Sequence, residues 1–213
     1  MTKEKRLKKR HNAEKRFRFY GLASIFLALL FVLILVQNIF SKGSSAFMKT
    51  AINVEVFYDP ELLGVKNGAT KDEILEADFF DITIETLLKT YPTNNLDEEN
   101  QLIDLFTTDA ELEIKNALIN NSNLLGKTVS LEITSSDDID QLHKGNYPRD
   151  LPEERRRISN FQLSIYDNFL ENKKIIKNFN NYFFKNGDSR DPEIAGIGGA
   201  LVGSFYSILI CLL

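Results

Sequence analysis

Between Arg18 and Lys42 the chain runs for 23 residues without a Lys, Arg, Asp or Glu. No other feature narrows the fold as much. At ~1.5 Å rise per residue, a helix of that length crosses the ~30 Å hydrocarbon core of a bilayer. In lipid the helix is imposed by the solvent, since each unpaired peptide group costs several kcal/mol, and the β-branched Ile and Val residues of the run are tolerated. Gln37 and Asn38 fall at its outer end, where headgroup water begins. A secretory signal is the nearest competitor, because Ser44 and Ala46 satisfy the small-residue rule at a cleavage site. Its apolar region would span only ~7 to 15 residues, however, so residues 19–41 read as an uncleaved transmembrane α-helix.

The segment before this helix sets its direction. Residues 1–18 hold nine Lys or Arg against Glu4 and Glu14, a charge of +7. The whole chain carries −4, which leaves −11 for everything that follows. Short basic flanks stay in the cytoplasm, so residues 1–18 are expected there and residues 42–193 on the far side. A basic run can also bind nucleic acid. Beside a spanning helix the topogenic reading is favoured, and no nucleic-acid partner is expected.

Residues 42–193 are polar and long enough for one domain with its own core. Cys211 is the only cysteine, so this domain has no disulfide and coheres by apolar burial. Its pattern alternates between strand and helix signals, an extracytoplasmic α+β domain. Ala51 to Phe57 and Thr128 to Thr134 both alternate apolar and polar residues, as half-buried strands do. Thr70 with Glu73 forms a capping box, after which Ile74, Phe79, Ile82 and Leu87 keep helical spacing as far as Tyr91. Leu96 to Phe106 reads as a second helix, a third is capped by Thr108 and Glu111, and Ser159 with Gln162 caps another. Residues 175–184 are aromatic and fit either strand or helix, and Asn186 with Gly187 reads as a turn.

Catalytic signals fail on inspection. The two histidines, His11 and His143, fall on opposite sides of the membrane in this topology, which leaves no His/Cys metal set. Ser135 to Asp140 superficially resembles a calcium loop, yet no glycine stands at the sixth position and Arg149 occupies the place of the bidentate Glu, so capping by Ser136 or Asp137 is the better account. There is no nucleophile elbow and no phosphate loop. The many carboxylates are expected mostly on solvated faces, and no cofactor is expected.

From Ile194 onward all 20 residues are uncharged, a second transmembrane helix by length over residues 194–213. Gly196, Gly199, Gly203 and Ser204 place small residues at close to four-residue spacing, a pattern that lets another helix approach. Gly196 and Gly198 are followed by Leu201 where a nucleotide loop needs its third glycine. The chain stops inside this apolar run, so Leu213 is not expected to be the natural end of the polypeptide.

Several blocks together carry a resemblance. They are Arg16 to Ala23, Ser41 to Gly43, Ala46 and Phe47; then Ser136 to Asp140, Lys144 to Asn146 and Arg149 to Glu153; and finally Phe183, Phe184, Gly187 to Glu193 (GDSRDPE), Ala195 to Ile197 and Gly199 to Tyr206 (GALVGSFY). The chain resembles the amino-terminal part of the phosphate ABC transporter permease subunit of the PstA type, in the form with a large extracytoplasmic insert between its first two membrane helices. Thr50 to Leu131 matches only in layout. Gly198 departs from the pattern, where a bulky aromatic is expected.

The resemblance implies a multi-pass protein of the bacterial inner membrane, with residues 194–213 starting an α-helical ABC permease core. It implies a second permease subunit, cytoplasmic ATPase subunits that hydrolyse ATP, an extracytoplasmic phosphate-binding protein and membrane lipid as partners. Such a subunit is not itself an enzyme. The rest of the core and the coupling loop are not in these 213 residues, so the fragment alone is not expected to transport phosphate. Arg149, Arg155, Arg156 and Arg157 form the densest positive patch of the acidic domain and would suit docking of the binding protein, unless Asp150, Glu153 and Glu154 neutralise them locally. Read from the residues alone, the layout also fits a membrane-anchored extracytoplasmic domain with a sensory or scaffolding role.

Overall fold

The computed structural model describes residues 3–66 and 68–212, with side chains from residue 11 onward except that of Lys42. The basic side chains of residues 3–10 and the chain end at Leu213 lie outside the described residues. The chain divides into two compact units, Met1–Ser45 and Ala46–Leu213.

The first unit is helix α1 (Lys3–Gly43). Its most apolar 18-residue window has a mean hydropathy of 2.8 and none of it is buried; by length and composition it is the one helix among the described residues able to cross a membrane. The hydroxyl of Ser24 donates to the Tyr20 carbonyl at 2.8 Å, so that hydroxyl is satisfied by its own helix. Arg18 pairs with Glu14 at 2.6 Å one turn earlier.

The second unit is built on a three-stranded antiparallel sheet of order β2-β1-β3, from β1 (Met48–Phe57), β2 (Thr128–Thr134) and β3 (Ile175–Phe179). β1 is central, with Ile52 opposite both Ile133 of β2 and Ile175 of β3. The alternation foreseen in Ala51 to Phe57 sets its faces: Ile52, Val54 and Val56 are buried, and Asn53 and Glu55 point away. Helices cover the apolar face. α2 (Lys71–Glu76), α3 (Phe80–Leu88), α4 (Leu96–Ile103), α5 (Ala110–Asn120) and α7 (Asn160–Glu171) contribute Ile74, Ile82, Leu102, Ile114 and Ile165 to one core. Each such side chain contributes ~1.5 to 3 kcal/mol on removal from water. Tyr58, fully buried just after β1, donates its hydroxyl to the Ile114 carbonyl at 2.8 Å and so ties sheet to α5.

Both capping boxes form as the sequence predicts, Thr70 with Glu73 and Ser159 with Gln162. Other expectations need correction. The single helix after Thr70 is two, because the chain breaks after Glu76 and Asp78 accepts the Phe80 N–H at 2.9 Å to restart it. Thr108 does not cap α5: its hydroxyl donates to Asp191 at 2.8 Å, and Asp109 stands at the N-cap without a side-chain bond. Ser136 occupies the N-cap of α6 (Asp137–His143) but makes no capping bond. The ambiguous aromatic stretch is both elements, β3 followed by α8 (Asn181–Lys185). The turn expected at Asn186 and Gly187 lies instead at 192–194, and Asn186 and Gly187 bond across to Ile194 and Gly196.

That cross-bonding consumes the start of the last apolar run. Helix α9 is Gly198–Leu212, 15 residues and ~22 Å long, which is shorter than a full span. No residue of it is buried.

Candidate functional site

Four stretches remote in sequence meet around one open cleft of about 720 Å³: the end of α4 and the segment after it (Gln101 to Thr108), the start of α6 (Ser136 to Ile139), the arginine loop with the start of α7 (Glu153, Arg156 to Ser159), and the Arg190 to Glu193 loop. The last of these is pinned to the segment before α5, since Asp191 accepts the Thr108 hydroxyl at 2.8 Å. Burial is the main reason that the Glu193 carboxyl is pushed above the usual carboxylate range. Asp138 is raised for the same first reason, against the opposing pull of Arg157.

Three polar atoms on this cleft are buried without a hydrogen-bond partner among the described residues, Ser136 Oγ, Arg156 Nε and Asp138 Oδ1, the last of them ion-paired with Arg157. The Arg156 Nη2 donates to Asn160. Unsatisfied buried donors of this kind are uncommon in folded proteins and mark a place where a ligand or partner can complete the bonding. Arg156, Arg157 and Arg190 line the cleft together with Asp104, Asp137, Asp138, Glu153, Asp191 and Glu193. The carboxylates outnumber the arginines, so the cleft suits a mixed-charge protein surface better than a lone anion.

The four arginines singled out in the sequence do come together, lining a recess of about 110 Å³ with Tyr147 and Leu163. They are not equivalent. Arg149 holds both oxygens of Asp167 on α7, and Arg157 pairs with Asp138 at 3.0 Å while donating to the Tyr147 hydroxyl at 3.1 Å. The guanidinium of Arg155 has no partner among the described residues. Among the described residues none of Asp150, Glu153 and Glu154 forms an ion pair with these arginines. Glu153 instead accepts from the Asn160 N–H at 2.8 Å, at the start of α7.

The small residues of the last run are also separated. Gly196 lies before α9, packed on the end of α8 so closely that a Cβ would stand 2.2 Å from the Tyr182 carbonyl oxygen. Gly198, where an aromatic was expected, has the same need, with a Cβ 2.6 Å from the Phe184 carbonyl. Gly199 and Gly203 lie on α9; a Cβ at the first would stand 3.4 Å from Gly187 Cα and one at the second would meet nothing within 4 Å, and Ser204 is exposed beside it.

Sequence reading missed a second polar cluster. Lys49 donates to Thr134 at 2.6 Å and lies 4.0 Å above the Tyr182 ring, and Glu113 accepts from the Tyr182 hydroxyl at 2.9 Å and the Thr134 N–H at 2.7 Å. Burial, then Glu113, pushes the Tyr182 hydroxyl strongly upward. Nearby, Asp140 accepts from the Thr50 hydroxyl at 2.8 Å and pairs with Lys144 at 2.5 Å. These partners are mostly some 70 to 90 residues apart, so no linear motif announces them. Each group is committed to a partner, an arrangement that fastens α5, α6 and α8 to the sheet. Among the described residues no group of three or more His, Cys, Asp or Glu is placed to hold a metal.

Residues 4–153 match the family model of a domain of unknown function (DUF3333). The chain belongs to that family. No curated protein and no solved structure matches it. The DUF3333 match runs from α1 through α6 and ends in the arginine loop at Glu153. The cleft is therefore shared, with the α6 side inside the DUF3333 segment and α7 and the Arg190 to Glu193 loop beyond it.

Proposed function

We propose that this chain is the amino-terminal part of a membrane-spanning permease subunit of an ATP-driven inorganic phosphate importer. The observation that carries the reading is the convergence of three of the blocks on which the resemblance rests, Ser136 to Asp140, Arg149 to Glu153 and Gly187 to Glu193, around one cleft and its adjoining recess. The uncharged run of α1, with +7 before it and −11 after it, supports a membrane anchor that presents this surface outside the cytoplasm.

In this account the cleft and the arginine recess receive the phosphate-binding protein, Arg155 supplying a charge with no internal partner. Phosphate then passes between this subunit and a second permease, and separate cytoplasmic ATPases drive the cycle. The experiment is phosphate uptake. Cells in which the full-length gene product is replaced by one lacking residues 46–193 should lose high-affinity, ATP-dependent uptake of radiolabelled phosphate, and the intact protein should co-purify with a second permease and an ATPase. Normal uptake, with recovery of a signalling protein instead, would point to the sensory or scaffolding role.

A further inference from the structure

Phe47, Phe179, Phe183 and Phe184 form one aromatic cluster. The ring of Phe184 stacks on that of Phe47 at 5.8 Å and 8° and on that of Phe179 at 5.8 Å and 9°, and Phe183 stands edge-on to Phe47 and Phe184 at 5.5 and 5.1 Å. Stacked aromatics usually close a core. This stack opens outward, with Phe179 53% and Phe184 45% exposed. Met48, directly across the strand pair from Phe179, and Ile197, whose N–H donates to the Phe183 carbonyl, extend the exposed apolar surface.

What this surface adjoins decides what covers it. Gly198 packs against the carbonyls of Phe184 and Lys185, so α9 starts directly on the end of α8 within the same compact unit. α9 has no charged side chain and no buried residue, and a helix apolar on every side belongs in lipid or in a protein interior. The platform and the bare helix are thus one continuous apolar surface. Lys177 and Lys185, both exposed, flank the platform in sequence, where ammonium groups can reach headgroup phosphates while their stems lie on apolar surface. Phe57 and Phe80 are also exposed but take part in no ring cluster.

We propose that the platform of Phe47, Phe179 and Phe184 is a membrane seat. It rests in the headgroup and upper acyl region of the bilayer that α9 enters, and holds the domain at a fixed height over the lipid. The inference rests on the reading that the chain is a membrane protein, and its test separates the two.

The chain contains no tryptophan, so a single Trp reports its own position. The 213-residue protein is reconstituted in phosphatidylcholine vesicles brominated near the headgroup end of the acyl chains, with Trp placed singly at Phe184, Phe179, Phe80, Phe31 or Phe205. Phe184→Trp and Phe179→Trp should lose about two-fold in emission and shift to the blue, while Phe80→Trp stays unquenched. Phe179→Trp, at the solvent edge of the stack, keeps the test alive if Trp at 184 perturbs packing. Emission from both platform variants like that of Phe80→Trp, with Phe31→Trp or Phe205→Trp quenched, overturns the seat and spares the membrane reading. No quenching at Phe31 or Phe205 removes both.

Discussion

A methyl group at Gly196 would stand 2.2 Å from the carbonyl oxygen of Tyr182. The clash is with backbone, so relief requires moving α8 or the loop before α9. Gly196→Ala should therefore cost roughly 1 to 3 kcal/mol and lower the melting temperature of the purified protein. Gly203→Ala, in open space on α9, should leave it unchanged. On the proposed reading, Gly203→Leu should instead weaken co-purification with a second permease subunit, because Gly203 has no neighbour within 4 Å among the described residues and is open to close approach by another helix. Equal melting of the Gly196→Ala and parent proteins would remove the close-packing argument.

Lys173 is the one non-glycine residue with positive φ among the described residues, at 54°. It closes α7 in a Schellman arrangement, with Lys173 N–H bonded to the Leu170 carbonyl and Lys174 N–H to that of Phe169. A side chain in this conformation costs about 1 kcal/mol relative to glycine. Lys173→Gly should raise the denaturation midpoint by a matching amount, and a lowered midpoint would show that the lysine side chain holds the turn.

Of Arg149, Arg155, Arg156 and Arg157, Arg155 is the one without a side-chain partner among the described residues, so charge removal there should act on encounter rather than on folding. In the full-length protein Arg155→Ser should lower phosphate uptake at limiting binding protein by roughly two- to ten-fold at low salt, less at high salt, with melting unchanged. Arg149→Ser breaks the ion pair to Asp167, whose side chain is 45% exposed, and should cost only ~0 to 1 kcal/mol. Replacing Arg155, Arg156 and Arg157 together by Ser and finding parental uptake at every salt concentration would reduce the loop to a solvated connection.

His143 is held below its ordinary value of 6.5, first by burial and second by Lys177, with Asp140 pulling the other way, and its Nδ1 lies 2.9 Å from the Tyr166 hydroxyl. The unfolded chain binds this proton more tightly than the folded one. Its contribution is thus complete above 6.5 and lost as pH falls through the interval down to the folded value. Glu193, Asp109 and Asp138, all raised chiefly by burial, act oppositely, since their contribution is present at low pH and lost as pH rises through their folded values. The difference between parent and His143→Gln isolates the histidine. Between pH ~7.5 and ~5 the variant should lose less stability than the parent. Parallel stability profiles would contradict this.

Legibility followed sequence distance. Period-two alternation revealed β1 and β2, and the pairs Thr70/Glu73 and Ser159/Gln162 marked two helix starts, because each signal is complete within four to seven residues. The break between α2 and α3 stayed hidden because Ile74 and Ile82 bury into the same core on either side of it, which preserves the spacing of one helix. Thr108 read as a cap since its true partner, Asp191, lies 83 residues away. The arginines were visible as a patch, yet their sorting into paired and unpaired members depended on Asp138 and Asp167, which tertiary contact alone brings near. Gly196 looked like one of a helical series, and the carbonyls that confine it belong to α8.

The proposed orientation, residues 1–18 cytoplasmic and residues 42–193 outside, is measured directly by cysteine labelling in intact cells. Cys211 is replaced by Ser to clear the background, and single cysteines are placed at Asn12 and Asn100, both exposed. A membrane-impermeant thiol reagent should label Asn100→Cys in intact cells and Asn12→Cys only after permeabilisation. Labelling of Asn12→Cys but not Asn100→Cys in intact cells would contradict the account.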